Sequence, residues 1–252
     1  MLPSIMIPPT AGPGSECQSF ALIADNATHQ KMACGDPKAM AKVAILDPEL
    51  TLSQPPRVTA CTGIDAIAHA VETAVTRKRN ETSLKYSRAA FQMMLGNFSR
   101  VLESPDDLEA RGQMLLGAAY AGTAIEHSML GAAHSAANPL TAHYDVVHGQ
   151  AVGMMLPHVV RFNAADETIA DGYAALVKDT AVASSNGTLS AEALAQAMEA
   201  LLDSANLPRD LTAFGVDAAQ LETLPHNSQR KQQNLLRQLL EEQDVRAATL
   251  VF

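Results

Sequence analysis

The chain has 252 residues, 47% hydrophobic and 18% charged, which is long enough for a sizeable core in one or two domains and too apolar for a disordered chain. A formal net charge of -9 gives no basic face for nucleic acid, so a small-molecule ligand is the default. Cys17, Cys34 and Cys61 are an odd number without CxxC spacing, which argues against a disulfide framework or a thiolate zinc site and for a reducing, cytoplasmic setting.

The opening MLPSIMIPP is apolar over too few residues to cross a bilayer and lacks a basic leader, so neither membrane insertion nor export is expected. Short apolar runs at 4–7, 20–23 and 43–46, separated by Gly, Pro, Asp and Asn, read as strands and turns. From about residue 55 the periodicity predicts helices over 58–78, 82–103, 106–126, 148–162, 166–184, 190–204 and 227–242, with breaks at Pro105, Gly131, Pro139 and 185–187. The strand-and-turn piece needs partner strands to pair its backbone, so the chain reads as beginning partway through an α/β domain. The methionines Met93, Met94, Met114, Met129, Met154 and Met155 fall at helical positions and read as core filler, and 230–242 as a solvated helix face.

Two stretches carry chemistry. In GIDAIAHAVE, residues 63–72, Asp65 and His69 stand at i and i+4 and therefore share one helix face, with Glu72 beside them either to orient a ligand or to sit in solvent at the helix edge. In GAAHSAANPLTAHYDVVHG, residues 131–149, three histidines, His134, His143 and His148, fall around Pro139, which is expected to interrupt the helix and fold the chain back. His134 would then end one helix and His148 begin the next, facing a common cleft. One carboxylate and three neutral imidazoles suit Fe(II) or Zn(II) and are poor for calcium or magnesium. Taken alone, the Asp65/His69 pair is more often a local ion pair, and AGPGS at 11–15 is only a tight turn.

At these residues the chain resembles the iron-containing (group III) alcohol dehydrogenases. Their metal motif, an aspartate, a histidine four residues on and two more histidines fourteen apart, matches Asp65, His69, His134 and His148. PPTAGPGSE at 8–16 resembles the family's PTTAGTGSE cofactor loop, which would make Thr10, Gly12, Gly14 and Ser15 cofactor-binding, and Lys31 in QKMA stands at its cofactor-contacting lysine. ILDPELT at 45–51 and LPHVVRFN at 156–163 are further near matches. The resemblance implies a mostly α fold. A short α/β remnant with strands and the Gly-rich loop, residues 1–55, would belong to a cofactor-binding domain, and 56–252 would form an all-helical metal-binding domain of the dehydroquinate synthase-like type. The implied activity is hydride transfer between NAD or NADP and a small alcohol or aldehyde, with Fe(II) or Zn(II), in a homo-oligomer that binds neither nucleic acid nor membrane.

Three features depart from the family. Its GGGS pyrophosphate loop, which lies in the first half of the α/β domain, does not occur in this sequence. The histidine the family usually carries four residues after the third ligand is Asn138, which does not titrate, leaving His143 or solvent to move a proton. The stretch 225–252 does not look like the family's ending. Two alternatives stay open: a non-catalytic helical metal-binding or oligomerising module, and a relative of glycerol dehydrogenase or maleylacetate reductase. His158 is expected to cap or bond backbone near a helix end, and His29 and His226 to lie in exposed turns.

Overall fold

A computed structural model describes residues 2–24, 31–182 and 190–215. Strands β1 (Ile5–Met6), β2 (Phe20–Ala24), β3 (Lys31–Gly35) and β4 (Val43–Ala44) come first. Helices α1 (Pro56–Thr73), α2 (Glu81–Glu103), α3 (Leu108–Ser128), α4 (Ala132–Tyr144), α5 (His148–Asn163), α6 (Glu167–Val177) and α7 (Ala191–Ser204) follow. The fold among the described residues is thus mostly α, with the few strands confined to the N-terminal part, as expected from the change in character near residue 55. β1 pairs in parallel with β4, Ile5 opposite Val43, and β2 pairs antiparallel with β3, Phe20 opposite Gly35.

The helices start where side chains can take up their free amides. Asn80 accepts from the Ser83 amide in a capping box, Asp107 from Ala110, Asp166 from Thr168 and Ile169, and Ser190 from Ala193. α1 starts on Pro56, whose fixed φ suits a first helical position. Helix α1 is the centre of the bundle and packs on α2, α3, α4 and α5. Its small residues Ala60, Ala66, Ala68 and Ala70 are buried, so neighbouring helices approach closely, while Phe91, Phe98, Met94, Leu115, Met154 and Leu202 fill the spaces between. No helix among the described residues is long and apolar enough to cross a membrane.

Several expectations are corrected. Pro139 does not break the chain: α4 runs through it to Tyr144, and the reversal comes at Asp145, held in the left-handed region at φ 54°, with Val146 and Val147 after it. Interior proline costs about 3 kcal/mol, and the complete burial of Ala133, Ala136, Ala137 and Leu140 offsets it. β3 was not expected, since KMACG lacks the β-branched residues that mark a strand. α6 stops at Val177 because Asp179 takes a positive φ of 64°. Met129 is no core residue: it caps α3 at φ 67° and is 40% exposed. His158 lies inside α5 and not at a cap, where burial and the neighbouring Arg161 lower its pKa. The break at 185–187, the helix at 227–242, His29 and His226 lie outside the described residues.

Candidate metal centre

The i, i+4 geometry of α1 brings Asp65 and His69 onto one face, and that face is turned inward: both are buried, at 6% and 5% exposure. His134 reaches it from the first turn of α4, and His148, the first residue of α5, reaches it from the other side of the reversal. One carboxylate oxygen organises the group. Asp65 Oδ1 lies 3.2 Å from Nε2 of His134, 3.6 Å from Nε2 of His69 and 3.8 Å from Nε2 of His148. The His69 and His134 rings stack with centroids 4.7 Å apart, and His148 meets His134 edge-on at 5.4 Å. His134 therefore begins its helix and does not end one; both loop-borne histidines sit at helix N-termini.

The electrostatics are those of a site built around charge. Burial opposes ionisation of Asp65, yet His69, His134 and His148 hold its pKa well below the usual carboxylate range. Burial keeps His69 down at about 4, in spite of Asp65. For His134 burial works the same way and is overcome by Glu72 and Asp65, which raise it to about 10. Asp65, His69 and His134 present ligand atoms within 4.8 Å of one another, and His148 turns a fourth toward the same oxygen. This donor set, one carboxylate oxygen and imidazole nitrogens, buried except at His148, fits a borderline divalent ion such as Fe(II) or Zn(II).

The Gly-rich loop lies beside this group. Gly12 is buried against Thr62 of α1, and its carbonyl stands beside the His69 ring. Gly14, at φ 63°, crosses α3 backbone to backbone: a Cβ there would stand 2.8 Å from Gly122 Cα, so both crossing residues must be glycine. Thr10 is half-buried, and Ser15 is exposed at the start of the 3-10 turn Ser15–Cys17. The turn is fastened to α3 through Ser19, whose amide and hydroxyl each donate to Glu126 at 2.8 Å. Asn138 is half-buried one turn after His134 on α4. The Lys31 backbone opens β3 and the His143 backbone belongs to α4; the side chains of both lie outside the described residues.

Sequence reasoning left Glu72 undecided and missed Gly131 and Gly149. Glu72 is 3% exposed and bonded to His134, and both glycines stand where α4 and α5 come close to α1. Glu72 follows His69 by three residues on the same helix face, but the partners of all three residues are distant in sequence and could not be read from spacing.

Known proteins resemble this chain over most of its length. Residues 59–247 match the family described as Fe-containing alcohol dehydrogenase, C-terminal, and residues 1–48 match iron-containing alcohol dehydrogenase. The chain belongs to the iron-containing alcohol dehydrogenase family. It is 31% identical to long-chain-alcohol dehydrogenase 1 of Geobacillus thermodenitrificans, over 98% of this chain and 62% of that protein. It is 30% identical to an NAD-dependent methanol dehydrogenase of Bacillus methanolicus, over 90% of this chain and 60% of that one. The chain thus spans less than two thirds of the length of these relatives. In fold it is similar to sulfoacetaldehyde reductase from Bifidobacterium kashiwanohense, solved with NAD+, at a TM-score of 0.81, with 24% identity over 94% of this chain and 65% of that one.

Proposed function

We propose that this chain carries the metal centre of a nicotinamide-dependent alcohol dehydrogenase or aldehyde reductase, with Asp65, His69, His134 and His148 as the ligands of Fe(II) or Zn(II). The observation that carries this reading is the convergence of three imidazole Nε2 atoms on one buried oxygen of Asp65, at 3.2 to 3.8 Å. A bound divalent ion supplies a Lewis acid that polarises an alcohol or aldehyde oxygen and eases hydride exchange with NAD or NADP. Asp65 contributes a negative charge among otherwise neutral ligands. Asn138 offers both a donor and an acceptor to a substrate hydroxyl, and His143 or solvent carries the proton. Thr10, Gly12, Gly14 and Ser15 contact the cofactor through loop amides and hydroxyls, with Lys31 opposite its negative charge. In this reading residues 1–55 belong to a cofactor-binding domain and 56–252 to the helical metal-binding domain. The substrate is a small alcohol or aldehyde, the protein is a homo-oligomer, and the free thiols of Cys17, Cys34 and Cys61 support a cytoplasmic setting.

The alternative reading is a helical metal-binding or oligomerising module without dehydrogenase activity. Elemental analysis of protein purified without a metal-chelating tag, beside His148→Ala, tests the centre. Near-stoichiometric iron or zinc that is lost in the variant is expected, and no metal even after anaerobic addition of Fe(II) or Zn(II) overturns the reading. Titration with NADH separates the two readings: a fluorescence change supports the enzyme, and its absence the module.

A further inference from the structure

Helix α4 begins without a cap of its own. Its N-cap is Gly131, which has no side chain to accept a first-turn amide, and α4 nevertheless starts in the buried interior next to the proposed ligands. The missing acceptor comes from another helix. Glu72 Oε1 accepts the amide of Ala133 at 2.6 Å and lies 3.4 Å from that of His134, while Oε2 stands 2.5 Å from Nδ1 of the His134 ring. The opposite ring nitrogen, Nε2, faces Asp65 Oδ1 at 3.2 Å. Gly131 follows from the same contact, since a Cβ there would press on Glu72 Oε1 at 2.9 Å.

We propose that Glu72 is the positioning residue of the metal centre: it holds His134 with Nδ1 protonated and Nε2 free for the metal, and fixes the start of α4 with its other oxygen. The proposal rests on the reading of Asp65, His69, His134 and His148 as ligands. A carboxylate is the side chain this position requires, because both of its oxygens accept. Glutamine accepts through one oxygen only. If that oxygen serves the Ala133 amide, its NH2 meets Nδ1 and favours the tautomer with hydrogen on Nε2, which cannot bind a metal; if it serves Nδ1, the NH2 faces the amide donor. The second negative charge of Glu72 also offsets two positive features brought together in a buried place, the divalent ion and the amides at the N-terminus of α4. Such orienting partners ordinarily change metal affinity by about 10- to 100-fold.

The test is titration of chelator-stripped wild-type protein, Glu72→Gln and Glu72→Ala with Co(II) and Zn(II), read by the visible cobalt spectrum and by calorimetry, with thermal melts of the stripped proteins alongside. Affinity 10- to 100-fold weaker in Glu72→Gln, in protein that still melts cooperatively, is expected. A lowered melting temperature with wild-type affinity means a purely structural role and overturns the proposal. Wild-type protein that takes no metal overturns the ligand assignment, and this proposal with it. Nitrogen-15 NMR of zinc-loaded wild-type protein decides the matter even where the variants fail to fold. A His134 ring with hydrogen on Nδ1, bonded and far downfield, supports the proposal, and hydrogen on Nε2 overturns it.

Discussion

Gly149→Ala separates intrinsic helix preference from packing at the metal centre. Gly149 is the second residue of α5, and replacing glycine by alanine inside a helix ordinarily stabilises by about 1 kcal/mol, less in the first turn. Here the added Cβ would run into the Cys61 carbonyl of α1 and stand 3.2 Å from Asp65 Cβ, so α5 must withdraw from α1. Overpacking of this kind costs about 1–3 kcal/mol and occasionally more. The obstacle is backbone and cannot rotate away, which places the cost at the upper part of that range. The net expectation is destabilisation by about 1–3 kcal/mol, a fall in Tm of about 2–4 °C for each kcal/mol in a chain of this size. Because His148 precedes Gly149, its Nε2 moves away from Asp65 and metal affinity falls as well. Gly96 of α2 is the control: nothing lies within 4 Å of a Cβ built there, so Gly96→Ala should stabilise by up to about 1 kcal/mol and leave the metal untouched. Urea midpoints with chelator present, followed by metal titration of each variant, measure both effects. A midpoint for Gly149→Ala that rises as it does for Gly96→Ala, or wild-type metal affinity in Gly149→Ala, would refute the argument.

Asp65→Ala should lose metal as well as rate, because it removes the oxygen that faces all three imidazoles; full occupancy by elemental analysis would exclude Asp65 as a ligand. Arg111→Met should destabilise by about 1–3 kcal/mol in urea, since the buried guanidinium donates to the Thr51 carbonyl at 2.7 Å, to Thr51 Oγ1 at 3.2 Å and to the Pro105 carbonyl; the Thr51 carbonyl keeps the Gln54 amide and the Thr51 hydroxyl keeps the Pro48 carbonyl, so the loss falls mainly on the Pro105 carbonyl. A loss below about 1 kcal/mol would show that water replaces it. Protein stripped by chelator should be most stable near pH 6.5. His134, raised to about 10, stabilises fully below the ordinary histidine value of 6.5 and loses that contribution as pH rises through 10, while His69, lowered to about 4, removes stability as pH falls from 6.5 toward 4. Each slope reaches at most about 1.4 kcal/mol per pH unit, and urea midpoints that stay flat from pH 6.5 to 9 would contradict the sign.

The parts of this molecule that were legible in the sequence are those governed by local periodicity. The i, i+4 spacing of Asp65 and His69 is a property of one helix, and so is the capping chemistry at Asn80, Asp107, Asp166 and Ser190. Pro139 misled because a local rule met a tertiary override: proline disfavours a helix interior, but α4 buries its alanines and Leu140 against α5, and the chain reverses only after Tyr144. The expected order of the two histidines failed for the same reason, since His134 begins α4 once the helix continues through Pro139. Close approaches were invisible. Gly14 against Gly122, Gly131 against Glu72 and Gly149 against Cys61 are pairs distant in the chain, and no spacing rule picks out those glycines from the others.

The placement of the proposed ligands creates an electrostatic conflict that the two carboxylates resolve. His134 lies in the first turn of α4 and His148 opens α5, so two helix N-termini, each carrying about half a positive charge, are turned toward the place where a dication would bind. Imidazoles are neutral donors and do nothing to relieve this. Asp65 faces all three of them, but one carboxylate leaves a net positive charge in a group whose members Asp65, His69 and His134 are almost fully buried. Glu72 is the second carboxylate, and it stands on the α4 side, where its bonds to the Ala133 amide and the His134 ring place its charge between the helix terminus and the ligands. The α5 terminus has the cheaper solution. The His148 side chain is 32% exposed, so water reaches that end and screens what a third carboxylate would otherwise have to balance. The acid buried at 72 therefore answers to the depth of the α4 end, while Asp65 and water serve the shallower α5 end.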